Sequence, residues 1–145
     1  MECFNLLIRS FTENDRLNLQ TLYLQVRLSA WPWLDSSAWK PEDFDSTTQD
    51  EQIWVAEENG ELLGFASVFV ADNFLHSLYV AQKHQGKRVG LELLKKVQAE
   101  FTASGTLKCL VKNENALEFY LRHDWKIEST GDSVDGEYYL MRYAG

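Results

Sequence analysis

A strand, a loop and a helix between Leu75 and Lys96 carry the residues best suited to chemistry. Leu75-His76-Ser77-Leu78-Tyr79-Val80 is an apolar strand, and Gln82 to Gly90 is a basic loop punctuated by glycine. Leu93, Leu94, Val97 and Phe101 then recur at helical spacing in a segment that starts at Val89 and runs to about Thr102. A loop entering a helix N-terminus exposes backbone N–H groups that no helical carbonyl accepts, and with the helix dipole these form an anion site, best suited to phosphate. From Ala81 to Lys96 the cations Lys83, Lys87, Arg88, Lys95 and Lys96 meet one acid, Glu92, so the net charge of −8 averages a basic spot with a strongly acidic remainder. No Gly-Lys-Ser/Thr follows at P-loop spacing, and the Gly-x-Gly-x-x-Gly dinucleotide fingerprint is absent. Taken alone, the loop is also compatible with a solvated strand-to-helix turn.

A second cluster lies downstream: Leu107-Lys-Cys-Leu-Val111, Asn113-Glu-Asn-Ala116, Phe119-Tyr120 and then His123-Asp124-Trp125. Together the two clusters resemble the GNAT superfamily of acyl-CoA-dependent N-acyltransferases. Gln85-Gly86-Lys87-Arg88-Val89-Gly90 matches the first and last positions of that family's pyrophosphate signature, Gln/Arg-x-x-Gly-x-Gly/Ala. Asn113, Ala116, Phe119 and Tyr120 match its downstream Asn-x-x-Ala-x-x-Phe-Tyr, and the resemblance covers essentially the whole chain. There are two departures. Arg88 replaces the middle glycine, which is harmless at a helical φ and costs cofactor affinity if the position needs φ > 0. Asp124-Trp125 replaces the usual Gly-Phe.

The resemblance implies acetyl-CoA as co-substrate, bound by the backbone of Leu78, Tyr79 and Val80 along the pantetheine arm. It implies that Gln85, Gly86, Lys87, Arg88, Val89 and Gly90 surround the pyrophosphate. It also places the Leu78 N–H near the thioester carbonyl, where it would stabilise an oxyanion. Asn113 is a pantetheine contact or an ordinary helix N-cap. Tyr120 is the candidate general acid for the departing thiolate, against the alternative of a core tyrosine. Relatives often use a glutamate base on one of the two splayed strands, but here those strands hold no carboxylate, and His76 is the candidate base. A structural histidine with a water chain as base is the alternative. Trp31, Trp33 and Trp39, with Tyr138 and Tyr139, are candidates for the acceptor wall or for plain packing. From Pro41 to Glu61 there are eight acids and no basic residue, either a solvated face or an attractor of a cationic amine.

These residues need elements to hold them. The pattern predicts strands over Cys3 to Arg9, Gln52 to Glu57, Glu61 to Val70, Phe74 to Val80, Leu107 to Val111, Trp125 to Ser129 and Glu137 to Tyr143. Helices are predicted over Glu13 to Leu28 behind a Thr12/Asp15 cap, briefly after Pro41, from Val89, and over Asn115 to His123. Asn59-Gly60 and Gly131 to Gly136 read as turns. The expected fold is α/β (α+β). It has a twisted, mostly antiparallel mixed sheet of about seven strands with about four flanking helices, and parallel central strands that splay apart.

At 145 residues the chain is expected to form one domain, residues 1–145. A pI near 4.8 argues against nucleic acid or anionic membrane as partner. No apolar run reaches the roughly 20 residues of a membrane span, and Met1-Glu2-Cys3-Phe4-Asn5 lacks a basic leader, so the expected compartment is the cytoplasm. Cys3 and Cys109 share no metal-like spacing, and no metal is expected. The expected reaction is acetyl transfer to a primary amine of a small molecule or peptide, by direct attack in a ternary complex. The alternative is a GNAT-fold acyl-CoA sensor without efficient turnover. Monomer and homodimer are both open.

Overall fold

The computed structural model describes residues 6–85 and 88–144. The strands are β1 (Leu6–Ser10), β2 (Gln52–Glu58), β3 (Glu61–Phe69), β4 (Phe74–Val80), β5 (Gly105–Leu110), β6 (Lys126–Ser133) and β7 (Gly136–Tyr143). The helices are α1 (Arg16–Ala30), α2 (Asp43–Thr47), α3 (Val89–Glu100) and α4 (Glu114–Arg122). The strands form one sheet in the order β1-β2-β3-β4-β5-β7-β6. Every neighbouring pair is antiparallel except β4 and β5. The α/β (α+β) expectation therefore holds, down to the parallel pair at the centre.

Each face of the sheet has its own core. Leu63, Ala66, Leu75 and Leu107 pack with Leu93, Leu94 and Val97 of α3, and α4 leans on the same side through Leu117 and Phe119. On the other face, Val55 and Phe65 pack with Leu19, Leu22 and Val26 of α1 and with Phe44 of α2. Alternate residues of one strand serve opposite cores, as the two-residue period of a strand requires.

The parallel pairing is short. β4 and β5 are in register only at Phe74↔Thr106 and Leu75↔Leu107. Asn73, in the left-handed region at φ 50°, pins this closed end. Its carbonyl accepts from the Thr106 N–H at 3.1 Å, and its side chain exchanges hydrogen bonds with Thr102 at 3.2 Å. Beyond Leu107, β5 follows β7, pairing from Gly105↔Tyr143 through Leu110↔Tyr138, and the slot toward the C-terminal ends of β4 and β5 opens.

Two expectations change. Gly131 to Gly136 is not one turn: β6 runs to Ser133, and only Val134 and Asp135 separate it from β7. Gly131 is a strand residue because the Tyr138 ring crosses it, and a Cβ there would sit 2.5 Å from Tyr138 Cζ. The first strand extends to Ser10, and the expected residues Cys3 to Asn5 lie outside the described residues.

The start of α1 is tied to the sheet by charge. Asp15 is buried, accepts from the Thr12 N–H at 2.8 Å, and takes both terminal nitrogens of Arg9 at 2.8 and 2.9 Å. Arg9 Nε donates to Glu57 at 2.7 Å, which joins β1 and β2. The Arg9 guanidinium, ahead of the Thr12 N–H, holds the Asp15 carboxyl below the usual carboxylate range against the opposing effect of burial. A depressed folded-state pKa contributes stability that is full above the unfolded value, about 4, and is lost as pH falls through the folded value. Asp15→Asn should therefore cost about 2 kcal/mol at pH 7, with the gap to wild type closing in acid. Urea unfolding from pH 7 down to pH 3 checks this, and a gap that does not change with pH contradicts it.

Candidate active site

The slot between β4 and β5 organises the candidate residues. Ala81 N–H donates to the Leu63 carbonyl at 2.8 Å, in the register that pairs Tyr79 with Phe65. By the alternation of an antiparallel ladder, Tyr79 and Ala81 direct their backbone groups to β3, and Leu78 and Val80 direct theirs into the slot. The Val80 carbonyl there accepts from Gln85 Nε2 at 3.1 Å. Leu78 and Val80 thus keep backbone groups free of β3, whereas the Tyr79 backbone pairs with β3 and its ring lies on the α1 face, stacked on Tyr23 at 5.4 Å.

β4 also carries a bulge. Ser67 pairs with Ser77 and Val68 with Leu75, so His76 is the extra residue. An inserted residue shifts the alternation, and Leu75, Leu78 and Val80 consequently share the α3 core. The expected alternation of His76 with Leu78 is broken. His76 instead stacks on Phe74, with ring centroids 5.9 Å apart, and its Nδ1 lies 2.8 Å from Glu51 Oε2. The carboxylate that the two splayed strands lack arrives from just before β2. No strand pattern could reveal this, since the two residues are 25 positions apart.

At the slot's open end the loop reaches α3. Gly86 and Lys87 lie outside the described residues. Val89 is buried against the α3-side core. Arg88 is the N-cap of α3 at φ +68°, so the position is one that favours glycine. The other non-glycine residues at positive φ among the described residues are Asp50, Asn59, Asn73 and Asp124, types that tolerate this region; Arg88 is not one of them. Gly90 has room for a Cβ, with Phe119 and Val80 side-chain atoms at an ordinary 3.6 Å, so internal packing does not demand glycine there. The basic surplus is partly answered at home. Lys83 pairs with Glu61 at 2.8 Å, Arg88 and Lys95 approach Glu92 at 3.7 Å, and Lys96 lies over Trp54. Exposed pairs of this length are weak and yield readily to a phosphate.

α4 places Tyr120 beside the slot. Asn113 caps the helix, its side chain accepting from Ala116 N–H at 3.4 Å, so the capping role is the one seen. Asp124, at φ +73°, occupies the position of the usual glycine and turns the chain so that Trp125 N–H donates to the Tyr120 carbonyl at 3.1 Å. Trp125 is fully buried, its Nε1 donates to Gln98 at 2.9 Å, and its ring packs on Tyr120 at 6.0 Å. Tyr120 Oη has no hydrogen-bond partner among the described residues. Burial pushes its phenol pKa up, with the neighbouring Cys109 adding to the shift. Burial also pushes the Cys109 thiol up to about 11, so it stays protonated and unreactive at neutral pH.

The aromatic candidates divide. Trp31 meets Tyr79 at 6.0 Å and Trp39 at 6.5 Å, and the box that they make with Tyr23 already holds a cation. The Arg27 guanidinium lies 4.1 Å from the Trp39 ring, 5.2 Å from Trp31 and 5.3 Å from Tyr23. Trp33 is exposed on the same connection. Tyr138 stands on the α1 side of β7 with Lys108 over its ring at 5.0 Å. Tyr139, one residue on, points to the opposite face and packs against the α3-side core, so strand alternation removes it from Trp31. The Tyr79 phenol is pushed up mainly by burial and further by Tyr23, Tyr120 and Asp135, with Arg27 opposing. The acidic run from Pro41 to Glu61 is dispersed, with Asp45 on Arg16, Glu57 on Arg9, Glu61 on Lys83 and Glu51 on His76. No group of three or more His, Cys, Asp or Glu among the described residues could hold a metal ion, and no described helix is long and apolar enough to cross a membrane.

Relief of the strained backbone at Arg88 is measurable. Glycine at a left-handed position removes about 1–2 kcal/mol of strain, offset by about 0.5–1 kcal/mol of extra chain entropy. Arg88→Gly should therefore raise the urea midpoint modestly; a lower midpoint would show that the Glu92 contact outweighs the strain.

Comparison with known proteins agrees with this fold. Residues 9–125 match the model of the acetyltransferase (GNAT) family. The chain is 29% identical over 117 residues to the peptidyl-lysine N-acetyltransferase YiaC of Escherichia coli, covering 79% of each protein. Its fold superposes on the PaiA N-acetyltransferase of Thermoplasma acidophilum in complex with coenzyme A, with a TM-score of 0.81, 18% identity, and 98% and 100% of the two chains covered. It also superposes on YncA of Salmonella typhimurium with its cofactor acetyl-CoA, at a TM-score of 0.75 and 17% identity over 97% and 94% of the chains. The family match over most of the chain, on a sheet whose parallel strands part beside a tyrosine, makes this protein a member of the GNAT family and an acetyltransferase.

Proposed function

We propose that the chain transfers the acetyl group of acetyl-CoA to a primary amine of a small molecule or peptide, by direct attack within a ternary complex. The observation that carries this reading is the slot: two strands that part after Leu75 and Leu107, with Tyr120 Oη at its side and without a hydrogen-bond partner among the described residues. Leu78 and Val80 supply backbone groups to the pantetheine amides, and the Leu78 N–H lies toward the thioester carbonyl. The N-terminus of α3 takes the pyrophosphate, and a glycine at Gly90 that packing does not require suits the close approach of such a group. Asn113 serves by capping α4 and so holding Tyr120. Trp31, Trp33 and Tyr138 border the acceptor, a peptidyl lysine being one amine of the right class.

The proton balance assigns the roles. His76 Nε2 removes one proton from the ammonium group of the acceptor and passes it to water. The freed nitrogen lone pair attacks the thioester carbon. When the C–S bond breaks, Tyr120 protonates the leaving sulfur and recovers a proton from the nitrogen that has become an amide. A phenol whose pKa is raised by burial keeps its proton throughout the neutral range. The thiolate leaving beside that phenol takes its proton from it.

Incubation with acetyl-CoA and a panel of amines and lysine peptides, read by free-thiol release and product mass, tests the reading. Tyr120→Phe should lower kcat by roughly 10²–10⁴-fold with acetyl-CoA thermal stabilisation retained. Unchanged turnover removes Tyr120 from the chemistry. Stabilisation by acetyl-CoA without acetylation of any amine would make the chain an acyl-CoA sensor.

A further inference from the structure

Glu51 is an unusual acid for this chain. Its side chain is only 7% exposed, its Oε2 lies 2.8 Å from His76 Nδ1, and its Oε1 is buried with no hydrogen-bond partner. A carboxylate kept from water with so few partners costs free energy that a purely structural surface pair would not require. The chain holds it there firmly. Asp50 turns at φ 64°, and the Glu51 N–H donates to the Thr48 carbonyl at 3.1 Å. Thr48 is itself buried, with its N–H and Oγ1 both donating to the carbonyl of the core residue Phe44 at 3.1 and 2.8 Å.

The imidazole opposite is equally constrained. His76 is the bulged residue of β4, one position past Leu75, where pairing with β5 ends. Its ring is stacked on Phe74 from one side and bonded to Glu51 from another, while 38% of its side chain is exposed. A carboxylate oxygen can only accept, so the proton of the neutral ring resides on Nδ1. Nε2 then carries the lone pair and has no other partner among the described residues.

We propose that Glu51 is a positioning residue that fixes the tautomer and orientation of His76, so that Nε2 is the atom that takes the proton of the acceptor amine. This rests on the reading of His76 as base. The logic is that of a carboxylate behind a catalytic imidazole, reached here by a segment outside the two splayed strands. It accounts for an acid buried beside His76 with one oxygen left without a hydrogen-bond partner.

The test uses the full chain labelled with ¹⁵N, observing the histidine ring nitrogens together with steady-state kinetics. In the wild type, neutral His76 should be the Nδ1–H tautomer. Glu51→Ala should shift it to a mixture rich in Nε2–H, as in a free imidazole. It should also lower kcat by about tenfold or more, with the KM for acetyl-CoA unchanged. Glu51→Gln keeps an acceptor oxygen and the packing, and should recover the tautomer and part of kcat. An Nε2–H tautomer in the wild type, or a wild-type kcat for Glu51→Ala beside an impaired His76→Ala, overturns the inference. A wild-type kcat for His76→Ala removes the base role and the inference with it, while acetyl transfer itself stands or falls on product detection.

Discussion

Parallel pairing of β4 with β5 stops after two residues, and the site proposed for this molecule depends on that interruption. A backbone N–H or carbonyl inside a sheet must find a partner, and β5 withdraws from Leu78 and Val80 because it pairs along its whole length with β7. The closed end is pinned by Asn73, Thr102 and Thr106, and the bulge at His76 follows directly. The slot therefore has one pinned end and one open end, with the bulge one residue beyond the last pair. The two layers of helices pack on opposite faces of that sheet, α3 with α4 on one and α1 with α2 on the other.

The positions where glycine would be expected show how this chain adjusts the family pattern. Arg88 and Asp124 both adopt positive φ in place of glycine, and they are not equivalent. An aspartate tolerates that region, and the turn at Asp124 seats Trp125, whose indole locks the end of α4 and hence Tyr120. Arg88 brings a charge beside the expected phosphate site at the expense of local strain. The aromatic box shows a similar economy, since a cage of Tyr23, Trp31 and Trp39 that could receive an external cation is filled by Arg27.

Much of the fold was legible from residue order. Phe74–Val80 is a strand with the bounds expected from its apolar run, and the loop into α3 and the α4 motif fall where spacing placed them. Local rules failed where a distant partner overrode them. Gly131 reads as a turn residue until the Tyr138 ring is laid across it. Tyr138 and Tyr139 look like a pair until strand alternation sends them to opposite faces. Glu51 looked like one acid of a solvated run, because nothing near it in the chain indicates that β4 lies above it.

The sequence by itself determined that a basic glycine-bearing loop, a central strand and a tyrosine-bearing helix occur in this order, because those signals are carried by periodicity and by residue types a few positions apart. Only the tertiary structure decided which backbone groups remain unpaired, which face each aromatic ring serves, and which acid meets His76. Those outcomes depend on strand register and on one inserted residue, and a shift of a single position in a strand exchanges its two faces.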